Sequence, residues 1–201
     1  MELNLLTFTY LFFRLAPFVI VCFFSLASLF NQDFKGLIYL FGLIFACFFT
    51  IMFGNFLPLP TATLPNEICN LITIGGTPAY SKLPLGQTIL GYTFAYLMYV
   101  IVKYNYVLQN IPTIVFFPLI IFVDILWNLS NSCYQLPQLI LSLGLGGGIG
   151  VLWAYILDTS KLTHLQYFNK VSGKEECTRP SKSTFKCNVY KNGQLISKNF
   201  G

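Results

Sequence analysis

Few residues in this chain are equipped to move protons, attack an electrophile or hold charge. The one histidine, His164, lies in a polar carboxy-terminal segment together with Cys177 and Cys187. Those three side chains are possible metal ligands, but their spacing fits no standard zinc pattern, and no metal or other cofactor is assigned. The ionisable group deepest in an apolar run is Asp124. An intramembrane carboxylate is a functional candidate by default. With no basic partner evident in the sequence, Asp124 is expected near a span end, reaching water beside Trp127 in a structural role. The run Gly144-Leu145-Gly146-Gly147-Gly148-Ile149-Gly150 could in principle cradle phosphate. A phosphate loop needs a following Lys and Ser or Thr, and none is present. The alternative is helix packing through two overlapping Gly-x-x-x-Gly pairs, Gly144/Gly148 and Gly146/Gly150.

The elements that carry these residues are written in the composition. Of 201 residues, 55% are hydrophobic and 9% are charged, where a soluble domain has about 25% charged. Between Leu15 and Leu157 the only charges are Asp33, Lys35, Glu67, Lys82, Lys103 and Asp124. So little polar surface excludes a soluble fold and points to a bilayer. A spanning helix needs roughly 20 apolar residues. The sequence predicts an all-α multi-pass membrane bundle over residues 1–157, with about five spans: Tyr10–Phe30, Gly36–Leu57, Gly86–Val102, Ile111–Trp127 and Leu136–Leu157. The first lacks the basic lead of a signal peptide and is read as a retained span, with Arg14 near its end. The connection 58–85 is apolar and proline-bearing, which predicts an interfacial or re-entrant piece packed on the bundle.

Residues 158–201 change character. From Lys161 onward eight basic residues face Glu175 and Glu176, a net of +6. The basic excess predicts a cytoplasmic tail and an external amino terminus. Asn192-Gly193 suits a type I′ turn, so a small β-hairpin is expected over residues 185–197. Phe185, Cys187, Tyr190, Asn192 and Gly193 are its candidate docking residues. An isolated hairpin is only marginally stable and needs a partner. Basic residues beside a span also attract anionic lipid, by about 1 kcal/mol each. No nucleic-acid module is recognisable, so nucleic acid is not an expected partner. Cys22 and Cys47 lie in spans as small apolar residues. Cys69 and Cys133 fall on the same predicted outer side and could bridge.

Three outer-face segments carry a spacing of their own. Asn70-Leu71-Ile72-Thr73-Ile74-Gly75-Gly76-Thr77-Pro78 precedes Pro84-Leu85-Gly86-Gln87, and Gln135-Leu136-Pro137-Gln138-Leu139 opens the last span. Together they resemble the type 2 phosphatidic acid phosphatase superfamily, in its order K-x-x-x-x-x-x-R-P, P-S-G-H and S-R-x-x-x-x-x-H-x-x-x-D. The resemblance covers about residues 70–157. It departs at every chemically active position: Asn70 stands for Lys, Thr77 for Arg, Gln87 and Gln135 for His, and Leu139 for Asp. Glutamine is neither a phosphoryl nucleophile nor a general acid near neutral pH, and Asn and Thr cannot neutralise phosphate. The resemblance therefore implies a site dead by that mechanism, with a vestigial headgroup pocket of Asn70, Thr77, Gln87 and Gln135.

These readings favour a non-enzymatic membrane anchor or scaffold whose tail docks a protein partner, with membrane lipids as its surroundings and a homo- or hetero-oligomer as an open possibility. The composition suggests an AT-rich genome, which would suit a virion internal membrane protein of a large DNA virus, its tail on the capsid shell. The alternatives are a lipid phosphatase using other residues, a headgroup-binding protein, and a transporter. The last is disfavoured by the lack of an internal repeat or paired intramembrane charges.

Overall fold

Each long apolar run folds as a helix, because a backbone in lipid must satisfy its own hydrogen bonds. The computed structural model describes residues 5–58, 81–167, 188–191 and 194–198. Its helices are α1 (Leu5–Asn31), α2 (Lys35–Phe56), α3 (Leu85–Lys103), α4 (Ile111–Ser130) and α5 (Leu136–Thr159). Four of them, α2 to α5, are long and apolar enough to cross a membrane. At about 1.5 Å per residue, the 24 residues of α5 run about 36 Å, more than a hydrocarbon core of about 30 Å. Pro17 and Pro118 sit inside helices α1 and α4, which membrane helices tolerate better than soluble ones.

Tight turns join neighbouring helices. Gln32, Asn105 and Ser132 take positive φ of 51°, 57° and 54° in the α1–α2, α3–α4 and α4–α5 connections. At the first turn the Ser28 hydroxyl bonds the Asp33 carbonyl and receives the Gly36 amide at 3.2 Å. At the same end of the bundle, Lys103 pairs with Asp158, which also accepts the Tyr104 hydroxyl at 3.0 Å.

The closest pairing is α3 with α5, whose backbones touch in parallel. A side chain at Gly146 would overlap the Thr88 carbonyl, and one at Gly150 the Tyr92 carbonyl. Gly91 lies as close to the Leu143 carbonyl. Around this pair, Tyr39, Tyr92 and Tyr96 are fully buried and pack ring against ring. Polarity is sorted opposite to a soluble fold. Thr50, Gln87, Thr88, Asp124, Asn128, Gln138 and Ser142 are buried, while Phe18, Phe23, Phe41, Phe48, Phe122 and Leu152 are exposed. Lipid tails solvate the outer apolar faces as well as a core would, so polar and small residues turn inward.

The chain forms two compact units, Met1–Asn169 and Lys170–Gly201. The first continues past the composition change at Asp158, because Gln166 donates to the Ala154 carbonyl at 3.0 Å and Tyr167 packs edge-on against Phe24. In the second, β1 (Asn188–Lys191) and β2 (Gln194–Lys198) pair antiparallel, with an irregularity between Val189 and Tyr190. Phe185, Cys187, Asn192 and Gly193 lie outside the described residues, as does the segment 59–80 expected to be interfacial or re-entrant.

Candidate functional site

Most of the buried polar side chains of the described residues gather toward one end of the bundle, where α3 and α5 begin and α2 and α4 end. Asp124 is the centre of the first group. Its Oδ2 accepts the Gln87 side-chain amide at 2.6 Å and the Asn128 amide at 3.0 Å. Asn128 stands one helical turn after Asp124, so its amide also reaches the Asp124 carbonyl at 2.7 Å. Asp124 is 2% exposed. The sequence placed it at a span end in reach of water. Instead α4 turns it inward against the first turn of α3, because Gln87 offers a donor there. Gln87 is itself fully buried, and its Oε1 has no hydrogen-bond partner. A buried orphan acceptor costs about 1–3 kcal/mol.

The second group joins α2, α3 and α5. Ser142 Oγ donates to the Pro84 carbonyl at 2.6 Å, and Thr50 Oγ1 donates to the Ala46 carbonyl at 2.9 Å. Thr88 Oγ1 lies 2.8 Å from Ser142 Oγ and 3.3 Å from Thr50 Oγ1. Each hydroxyl has one proton. With Ser142 and Thr50 already donating to carbonyls, the single Thr88 proton faces both of their oxygens, Ser142 at the shorter distance and Thr50 at the longer. None of the three hydroxyls is left as a nucleophile beside a base.

The rim completes the layer. Gln138 Nε2 donates to the Lys82 carbonyl at 3.3 Å, and Lys82 Nζ donates to the Leu57 carbonyl at 3.1 Å. Gln135 and Gln138 form a reciprocal capping box on α5, in which the Gln138 side chain accepts the Gln135 amide at 2.9 Å. Cys133, in the α4–α5 turn, is buried and disulfide-bonded. Cys22 and Cys47 are free thiols, so the partner of Cys133 is a cysteine outside the described residues.

Of the four positions expected to form a headgroup pocket, Gln87 and Gln135 are described. Gln87 is committed to Asp124, while Gln135 is exposed and committed to the end of α5. Leu139 is fully buried. Asn70 and Thr77 lie outside the described residues. The glycine run divides as well. Gly146 and Gly150 meet the α3 backbone, whereas Gly144 and Gly148 have nothing within 4 Å of a notional side chain. A hollow of about 350 Å³ beside this pairing is lined by Gly91, Phe94, Ile121, Leu143 and Gly147, among others. That lining offers no group for phosphate. Among the described residues no cluster of His, Cys, Asp and Glu could hold a metal.

Two signals for this layer were present in the sequence and passed over. Asp124 and Asn128 have i, i+4 spacing inside a span. Gln138, Ser142, Gly146, Gly150 and Ala154 form one i, i+4 row on α5, and all are buried. No protein-family profile, characterised protein or solved structure matches this chain.

Proposed function

We propose that the chain is a non-catalytic, five-span membrane anchor whose basic tail docks a protein partner. One observation supports it most. Buried polar side chains of the described bundle are tied to neighbouring segments, through Gln87 to Asp124, Thr88 to Ser142 and Gln138 to Lys82. Such bonds fix helix positions; they do not present a nucleophile and base to a substrate. In this reading α1 is the fifth span and the tail is cytoplasmic, on the strength of its net +6 from Lys161 onward. The hairpin edge gives a partner a strand to pair with. A capsid shell under a virion membrane is the class of partner that the compact, tail-bearing form suits.

Deleting Ser172–Gly201 tests the docking. The truncated chain should insert and extract from membranes like the full chain, yet lose the protein that co-purifies stoichiometrically with it. Unchanged co-purification would refute docking by the tail. Turnover of phosphatidic acid or dolichyl diphosphate by the purified chain, abolished by Gln135→Ala, would refute the non-catalytic reading.

A further inference from the structure

Cys133 is disulfide-bonded, while Cys22 and Cys47 are free. Three cysteines can be its partner: Cys69, Cys177 and Cys187. Cys133 sits between the end of α4 and the start of α5. Its amide donates to the Asn128 carbonyl at 3.0 Å, which holds it against the last turn of α4. The connection between α2 and α3 starts and finishes at the same end of the bundle. Lys82 Nζ closes its base on the Leu57 carbonyl, and Gln138 Nε2 ties Lys82 to the first turn of α5. Cys69 belongs to that connection. Cys177 and Cys187 follow α5, whose far end is a full helix length away. To reach Cys133 the polar tail would have to cross lipid with its backbone unsatisfied.

We propose that Cys133 is joined to Cys69, and that this bond forms on an oxidising face of the membrane, opposite the tail. The sidedness rests on the spanning reading given above. In the reaction two thiols lose two protons and two electrons and gain one S–S bond, while a disulfide-bearing oxidant is reduced to its dithiol. Such bonds persist in oxidising compartments. The assignment thus supplies an orientation signal independent of charge, and it agrees with the tail's basic excess. It also ties the α2–α3 connection to the α4–α5 turn across the end of the bundle that holds the buried polar layer.

Mass spectrometry of the full chain tests the bond. Membranes are blocked with N-ethylmaleimide and digested without reductant. The expected result is a peptide pair linking Cys69 to Cys133 that disappears on reduction. In Cys69→Ser, Cys133 should become alkylated, and in Cys133→Ser, Cys69 should. Alkylated Cys133 in the unsubstituted chain, or Cys133 linked to Cys177, to Cys187 or to a second copy, would overturn the pairing. Sidedness is read separately in sealed vesicles, whose orientation is reported by trypsin cleavage of the lysine-rich tail. A membrane-impermeant maleimide should label Cys133 of Cys69→Ser from outside only where the tail is protected. Labelling from the tail's own side would overturn the sidedness and the spanning reading, while the bond itself would still be read from the peptide pair.

Discussion

Replacing the four glycines of α5 by alanine, one at a time, separates helix packing from helix propensity. At Gly146 the new methyl overlaps the Thr88 carbonyl, and at Gly150 the Tyr92 carbonyl. Both obstacles are backbone atoms of a helix, so no rotamer change relieves them. The helices must move apart, and overpacking of this kind costs about 1–3 kcal/mol. Separation at Gly146 also stretches the 2.8 Å bond from Thr88 to Ser142, which is worth about another 1 kcal/mol. Against this, alanine gains up to about 1 kcal/mol over glycine in a helix interior. The expected net loss is about 1–3 kcal/mol for Gly146→Ala and somewhat less for Gly150→Ala. Gly144 and Gly148 meet open space, so only the propensity gain applies, and those variants should be neutral or more stable by up to about 1 kcal/mol. The assay is reversible unfolding of the full chain in mixed micelles, followed by tryptophan fluorescence. Trp153 is a suitable reporter, since it lies close to Gly150 and bonds the Ile38 carbonyl of α2 at 3.2 Å. Equal destabilisation by Gly144→Ala and Gly146→Ala would refute the assignment of the packing face.

Other substitutions probe the polar layer and the bundle's ends. Gln87→Leu removes a 2.6 Å bond to Asp124 but also an orphaned Oε1, so its loss should be held to about 1–3 kcal/mol in the same unfolding assay. Asn128→Leu shares the acceptor oxygen of Gln87, so the double variant should depart from additivity by about 0.5–3 kcal/mol; strict additivity would mean that the two amides act on separate partners. Ser142→Ala removes both the bond to the Pro84 carbonyl and the contact with Thr88 and should cost about 1–2 kcal/mol, whereas Thr50→Val loses chiefly a bond within its own helix and should cost less. Asp158→Asn breaks the pair with Lys103 at an exposed bundle end, and any effect on unfolding should fade as salt is added.

How much of this was legible depends on the range of the interaction involved. Span positions follow from local hydropathy, so the expected runs and the observed helices differ by only a few residues at most ends. The α1 helix begins earlier than the apolar run, at Leu5, and α4 runs on to Ser130. The two Gly-x-x-x-Gly pairs were visible as a pattern but not as a direction. Their spacing is identical, and only their companions distinguish them: Gln138, Ser142 and Ala154 share the row of Gly146 and Gly150. Small and polar residues on one helix row mark the face that meets another backbone. Asp124 was misplaced because its partner Gln87 lies 37 residues away on another helix, and no local pattern announces that contact.

The Gln87–Asp124 bond joins two helices through one amide and one carboxyl oxygen. Gln87 is fully buried, and its side-chain amide donates to Asp124 on α4 at 2.6 Å. Gln87→His is an informative substitution there. Imidazole can donate to Asp124 much as the amide does, whereas leucine cannot, so Gln87→His should lose less than Gln87→Leu in the unfolding assay. Equal losses for the two variants would show that position 87 does not donate to Asp124 as the structure places it.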